Sequence, residues 1–138
     1  MIDKPSTILF QRGYANEFKI DQIVCLEQGN SYLFAEVIDN IAISARCWVR
    51  PLTIARLPPV GYANDPQSFE LEFLHDLRNG SQLILPAALF RYALDTEVLP
   101  LISELFHPDK DSTLTLAAKK ALHTFIADIY RSAPDRIV

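Results

Sequence analysis

The first two-thirds of the chain alternate between apolar and polar positions with the period of about two residues that extended strands require. Residues 20–27 (IDQIVCLE) are rich in β-branched side chains and lead into Gln28-Gly29-Asn30, a connection typical of a hairpin. Residues 32–39 (YLFAEVID) form the predicted return strand, and residues 43–57 form a long extended segment. Pro51 interrupts this last segment, which indicates an edge position, a bulge or a bend.

Two more strands are predicted after a loop. Residues 58–66 are rich in proline, glycine and Asx residues, which supply turn geometries that a strand cannot use. Residues 69–77 (FELEFLHDL) alternate well, and Asn79-Gly80 separates them from a short strand at residues 82–85. An Asn-Gly pair between two strand patterns predicts a hairpin. Residues 87–90 then predict a single helical turn.

The last third of the chain changes to the period of about 3.6 residues that is typical of helices. A first helix is predicted over about residues 95–106, with Pro100 bending it or placing its start later. A second helix is predicted from Ser112 or Thr113 to Arg131. The apolar side chains of the second helix share one stripe: Leu114, Ala118, Ala121, Leu122, Phe125, Ile126 and Ile129. That stripe must be buried, either on the sheet or on a partner.

The order of these elements, about five strands followed by two helices, predicts an α+β fold. We expect residues 1–138 to form a single domain. Its β part would occupy about residues 18–92, and its helical extension about residues 95–132. Because a short antiparallel sheet tends to curl, the predicted architecture is a small five-stranded antiparallel barrel followed by two C-terminal helices.

The segment SQLILPAALF, at residues 81–90, places a strand, a proline and a helical turn one after another. This order resembles the end of SH3-like barrels. The resemblance covers about residues 18–92 and implies the SH3-like barrel fold. It does not imply binding of proline-rich peptides, because the aromatic ALYDY-type segment of SH3 domains is missing from the sequence.

Two segments, CWVRPL at residues 47–52 and DTEVLPL at residues 95–101, resemble a family of small cyanobacterial proteins of unassigned function. The resemblance implies a cytoplasmic bacterial setting and no particular activity.

Charge and hydropathy exclude several classes of partner. The chain has 13 Lys and Arg against 17 Asp and Glu, and its net charge of −4 disfavours non-specific binding to nucleic acid or to anionic membranes. No apolar stretch approaches the roughly 20 residues that a membrane-spanning helix needs. The N-terminus has no apolar signal segment. We therefore expect a cytoplasmic protein without a membrane partner, for which a nucleic-acid partner is disfavoured.

The sequence contains no recognisable catalytic or metal-binding signature. Its glycines are too far apart to form a phosphate-binding loop or a nucleophile elbow: Gly13, Gly29, Gly61 and Gly80. The three histidines and two cysteines lack HExxH and CxxC spacing, so no metal or other cofactor is predicted. Cys25 and Cys47 lie in apolar strand patterns and are expected to be buried free thiols. We accordingly expect a protein that is not an enzyme.

Arg46, Trp48 and Arg50 alternate along one predicted strand, so their side chains project from the same face. We call these three residues the Arg-Trp-Arg face. A tryptophan between two guanidinium groups can make cation–π contacts and offers a flat apolar surface with a positive rim, and both residue types are enriched at binding hot spots. Alternatively, Trp48 covers one end of the core while the arginines pair with acidic residues of neighbouring strands. The candidates for that pairing are Glu27, Glu36 and Asp39.

The preferred hypothesis is a non-enzymatic interaction or adaptor module that binds a protein partner through the Arg-Trp-Arg face, supported by the loop from Pro58 to Pro66. Two alternatives stay open. One, by fold analogy alone, is a nucleic-acid-binding barrel of a ribosome- or polymerase-associated factor. The other is a small ligand-binding protein or enzyme with a site assembled from scattered residues such as Glu72, His75 and Arg78. A homodimer is compatible with each, because the sheet need not cover the whole apolar stripe of the second helix.

Overall fold

Six strands pair into one antiparallel sheet in the computed structural model, which describes residues 18–57, 71–107 and 113–132. The strands are β1 Ile23–Gln28, β2 Ser31–Ile41, β3 Arg46–Arg56, β4 Glu72–Asp76, β5 Leu83–Pro86 and β6 Arg91–Tyr92. Two helices follow, α1 (Asp95–Leu105) and α2 (Leu116–Ser132). The predicted α+β class is therefore confirmed.

The hairpin predicted between the first two strands is present, and its connection consists of the two residues Gly29 and Asn30. Gln28 pairs with Ser31 across the turn, and Gly29 has a φ of +60°. That left-handed conformation costs glycine little, because glycine has no Cβ to collide with the backbone.

The paired strands β2 and β3 are each 11 residues long and carry two irregularities in register. A short 3-10 turn, Ala42–Ser44, joins them, so the predicted extended segment of residues 43–57 is corrected at its start. Leu52 is an extra residue on β3 next to Pro51, and Ile38 is an extra residue on β2. Such bulges bend a strand and increase its twist. Of the three interpretations of Pro51, an edge position, a bulge or a bend, the bulge at Leu52 confirms the second.

The hairpin predicted at Asn79-Gly80 is wrong. β4 pairs with Thr53–Arg56 and β5 pairs with Arg46–Val49, both antiparallel to β3, so β4 and β5 run in the same direction along one edge. Residues 77–82 leave that edge and rejoin it without reversing the chain. An Asn-Gly pair favours a tight turn, but a turn by itself does not set the direction in which the chain continues.

A sixth strand, Arg91–Tyr92, was not predicted from the sequence. The expected helical turn is present as a 3-10 turn, Ala87–Leu89, and the chain passes through it from the β3 edge to the β1 edge, where β6 pairs with β1. The strand order is β4-β3-β2-β1-β6, with β5 also beside β3. Among the described residues, no pairing closes this sheet into the predicted barrel. The sheet has six strands, whereas the sequence predicted five.

The helix α2 packs on one face of the sheet. Its buried side chains Ala118, Phe125 and Ile129 belong to a core that also contains Val37 and Val49. The partly buried side chains Leu114, Ala121, Leu122 and Ile126 pack against the same core. The apolar stripe predicted for the second helix is therefore covered by the sheet of its own chain.

The helix α1 packs on the opposite face. Leu101 and Leu105 are buried there against Cys25, Phe34 and Leu52. Both faces of the sheet are thus partly covered, each by one helix. The surface that α1 leaves uncovered on its face is where the candidate site lies.

Candidate functional site

The Arg-Trp-Arg face lies on the same side of the sheet as α1. Cys47 and Val49 belong to the core on the α2 side, so the residues that alternate with them project to the other side. α1 packs farther along β3, at Leu52 and Ala55. Arg46 is exposed, and Trp48 is half-buried. The predicted alternation is therefore present, and the face lies beside the helix rather than under it.

Trp48 is held by its neighbours across the sheet. Its Nε1–H donates a hydrogen bond to Gln82 Oε1 at 3.0 Å. Directly across from it are Ile84 on β5, which is 47% exposed, and Asp39 on β2. Because the indole N–H already has a partner, the ring offers mainly its apolar surface, which continues onto Ile84.

The two arginines of the face differ in their surroundings. Arg50 Nη1 lies 2.9 Å from Glu36 Oε1, on the residue directly opposite in β2, as one alternative from the sequence expected. These side chains are 42% and 32% exposed, and such a half-exposed ion pair contributes about 1 kcal/mol at most. Arg46 has no side-chain hydrogen bond or ion pair with any residue that the structure describes. Its side chain is exposed, unlike the half-buried side chain of Arg50.

The expected cation–π contact is not at Trp48 in the described part of the chain. Arg78 lies over Phe106 instead, with its Cζ 5.1 Å from the ring centroid. The same guanidinium is held by Asp76, with Nη2 at 2.8 Å from Oδ2 and Nε at 3.1 Å from Oδ1. Arg78 is thus fixed by a two-point ion pair and an aromatic ring within the chain.

An exposed apolar stripe on α1 was missed by the sequence reasoning. It consists of Leu99, Ile102 and Phe106, which follow one another at helical spacing, and Phe106 is 64% exposed. The sequence carries a signal for it, because apolar residues stand at positions 99, 101, 102, 105 and 106, more than one face of a helix needs. A helix that is apolar on more than the side it buries has apolar surface left for a partner.

The stripe lies on the flank of α1 that is turned away from the cavity beside Tyr32. Pro100 lines a cavity together with Tyr32, on one flank of α1. Ile102 is two residues farther on, about 200° around the helix, and so lies on the opposite flank. Along β2, Tyr32, Phe34 and Glu36 share one face, with Phe34 in the core under the helix. The flank with Ile102 is therefore turned toward the end of the sheet that carries Glu36 and its partner Arg50.

The three residues that the sequence suggests for a scattered site do not all line the cavity beside His75. His75 is half-buried and lines a cavity of about 700 Å³ against α2, but neither Glu72 nor Arg78 is among the described residues of that cavity. Glu72 forms an ion pair with Arg56 at 2.6 Å. Arg78 is engaged by Asp76. In the described part of the chain, His75 therefore lines this cavity without the other two residues.

Both cysteines are free and buried, as expected. Burial raises the pKa of the Cys25 thiol to about 12, a shift that the Arg91 guanidinium partly opposes. Burial likewise raises the pKa of the Cys47 thiol to about 11, with Asp39 adding to the shift. Thiols of this kind are poor nucleophiles at neutral pH.

Within residues 18–57, 71–107 and 113–132, no three His, Cys, Asp or Glu side chains are grouped so that they could hold a metal ion. In the same part of the chain, no helix has the length and apolar character needed to cross a membrane. The loop from Pro58 to Pro66, which the sequence associates with the Arg-Trp-Arg face, lies outside the described residues.

No protein-family model matches this chain, and no match is found among curated proteins or solved structures. The resemblances to SH3-like barrels and to small cyanobacterial proteins therefore stay predictions from the sequence. Function has to be argued from the geometry of the surface itself.

Proposed function

We propose that this protein is a non-enzymatic interaction module that binds an acidic segment of a protein partner through Arg46, Trp48 and Arg50. The observation that carries the proposal is the combination of an exposed Arg46 without a described partner and an apolar surface formed by Trp48 and Ile84. Tryptophan and arginine dominate the binding energy of many protein interfaces.

The chemistry of the face indicates what the partner segment contains. Arg46 presents a planar fork of N–H donors that matches a carboxylate, so an Asp or Glu is expected opposite it. The indole ring and Ile84 suit an apolar or aromatic side chain next to that carboxylate. Arg50 already shares its guanidinium with Glu36 and would contribute less than Arg46.

The exposed stripe on α1 extends this surface. Leu99 and Ile102 offer exposed apolar area on this flank of the helix, and the part of the Phe106 ring that Arg78 leaves exposed adds to it. A partner that covers both parts would bury an apolar centre with a charged rim, which is the usual anatomy of a protein interface.

The nucleic-acid alternative gains no support from the basic residues of β3. A continuous positive patch would need Arg46, Arg50 and Arg56 on one face. Because of the bulge at Leu52, however, Arg56 falls on the α2 side of the sheet. Arg56 is also paired with Glu72, and Arg50 with Glu36.

An SH3-like barrel and a cytoplasmic location also belong to this proposal. The order of β5, Pro86, a 3-10 turn and β6 supports the first, since the resemblance rests on a short helical turn between the last strands. Two buried free thiols support the second, since reducing compartments keep cysteines unpaired.

Affinity purification with quantitative mass spectrometry tests the proposal. We expect a protein partner that the wild-type chain captures to be lost from the double variant Arg46→Ala/Trp48→Ala. Arg56→Ala is the matched control, because it removes an exposed arginine from the same strand on the other face and should retain the partner. Thermal unfolding of each variant confirms that it is folded. Equal capture by all three proteins would refute the assignment of the site.

A further inference from the structure

A cavity of about 420 Å³ lies between α2 and the segment that joins β4 to β5, on the side of the sheet away from the Arg-Trp-Arg face. Its walls are apolar and comprise Leu77, Leu83, Leu114, Leu122 and Ile126. Its volume lies within the range of sites that bind small molecules, roughly 300–1,000 Å³.

Three polar side chains line part of this cavity, and each can donate a hydrogen bond to an anion. They are Ser81, Lys119 and His123, which supply a hydroxyl, an ammonium and an imidazole. No carboxylate is among the described lining residues, although the chain as a whole has a net charge of −4. Lys119 has no ion pair with any other residue in the described ranges.

The helix places these groups beside the apolar wall. Leu122 and Ile126 are one turn apart on α2, and so are Lys119 and His123. Lys119 and His123 are exposed, whereas Leu122 and Ile126 are half-buried against the core. An apolar cleft therefore opens toward solvent past two nitrogen groups on consecutive turns.

We propose that this cavity binds a free medium-chain carboxylate, with its hydrocarbon chain among the leucines and its carboxylate at Lys119, His123 and Ser81. Charge complementarity favours an anion over an amine, since Lys119 is the only charged residue among the described residues that line the cavity. The apolar walls favour a hydrocarbon tail over a polar metabolite, because a polar ligand would lose its hydration without new hydrogen bonds.

The other cavities fit this ligand less well. The cavity beside His75 has Asp128 among its lining residues, and the one beside Tyr32 has Glu97. Although Glu97 is paired with Arg91 and Asp128 with Arg131, a further carboxylate beside either group is less favourable than one beside Lys119. Since the proposed site lies on the α2 side of the sheet, it is independent of the Arg-Trp-Arg face, and either proposal can fail without the other.

The test is a titration of the full-length protein with sodium decanoate below its micelle concentration, followed by calorimetry and by the NMR signals of His123. We expect saturable one-to-one binding. Lys119→Gln should weaken the affinity about tenfold or more, as expected for the loss of a charge-assisted hydrogen bond. Lys119→Arg should retain most of the affinity, because it keeps the cation.

Lys120→Gln is the matched control, since Lys120 is the next lysine on the same helix and lines a different cavity. It should change the affinity less than twofold. Decan-1-ol, which has the same chain without the charge, should bind at least about tenfold more weakly than decanoate. Non-saturable binding, equal effects of Lys119→Gln and Lys120→Gln, or equal affinity for the alcohol would each overturn the proposal.

Discussion

The carboxylate of Glu97 ties the start of α1 to the edge of the sheet, and replacing it tests how α1 is held over its core. Arg91 donates two hydrogen bonds to it, from Nη1 to Oε1 and from Nη2 to Oε2, both at 2.9 Å. The backbone N–H of Leu94 donates a third to Oε1 at 2.8 Å. The side chain of Glu97 is only 14% exposed, whereas that of Arg91 is 36% exposed, so the carboxylate is the better shielded partner.

We expect Glu97→Gln to lower the free energy of unfolding by about 2 kcal/mol at pH 7. A hydrogen bond to a charged group contributes roughly 1.5–3 kcal/mol, and losing one partner of a buried ion pair costs roughly 3–5 kcal/mol. The smaller of these two ranges applies, because Arg91 is partly exposed and is also held by Glu27 at 2.6 Å. The control is Glu72→Gln, whose ion pair with Arg56 is about half-exposed and should contribute less than about 1 kcal/mol.

The pH dependence follows from the same contacts. Burial opposes the ionisation of Glu97, but hydrogen bonds from Arg91 and from the Leu94 N–H outweigh it, so the pKa of Glu97 is lowered from its ordinary value of 4.5. A lowered folded-state pKa gives stability that is present above pH 4.5 and is lost as the pH falls below it. Urea unfolding of both proteins between pH 7 and pH 3 measures this difference. Equal effects of the two substitutions at pH 7, or a Glu97→Gln difference that grows in acid, would refute the reasoning.

Three further predictions concern the two cores and the first turn. Leu101→Ala should lower the free energy of unfolding in urea by about 2–5 kcal/mol, because Leu101 is fully buried. Ile102→Ala on the exposed flank should lower it by less than about 1 kcal/mol. Equal losses would contradict the placement of α1. Because Cys25 and Cys47 are buried, a thiol reagent at pH 8 should label the native protein at least about a hundredfold more slowly than the protein unfolded in urea. Rapid labelling of the native state would be inconsistent with that burial. Gly29→Ala should cost about 1 kcal/mol in thermal unfolding, because the φ of +60° strains any residue with a Cβ, and an unchanged melting temperature would argue against that conformation.

The elements that depend on neighbouring residues could be predicted from the sequence. Gln28-Gly29-Asn30 specified the first hairpin, because a two-residue turn with a left-handed glycine is a local requirement. The apolar stripe of α2 followed from helical periodicity and is buried on the sheet. By contrast, β6 has two residues, Arg91 and Tyr92, which is too short to show a period.

The features that the sequence reasoning missed depend on contacts between distant segments. Asn79-Gly80 predicted a hairpin in which the chain reverses its direction. Instead, β3 is long enough for β4 and β5 to pair with it one after the other. The bulge at Leu52 moved Arg56 to the face opposite Arg46, which no simple count of alternating positions would show.

The same distinction holds for the candidate site. Alternation correctly placed Arg46, Trp48 and Arg50 on one side of β3, and Glu36 was among the expected acidic partners. Gln82 and Ile84, however, reach Trp48 only through the pairing of β5 with β3. Sequence periodicity therefore identified the residues of the face but not its neighbours.

The most direct test of the proposed interaction uses the fluorescence of Trp48, the only tryptophan in the chain. The captured partner segment, prepared without tryptophan, is titrated into the wild-type protein and into Arg46→Ala and Arg56→Ala. We expect a saturable change in Trp48 emission, with a midpoint that rises about tenfold or more in Arg46→Ala and stays within about twofold in Arg56→Ala. Binding that leaves Trp48 emission unchanged, or that both substitutions weaken equally, would contradict it.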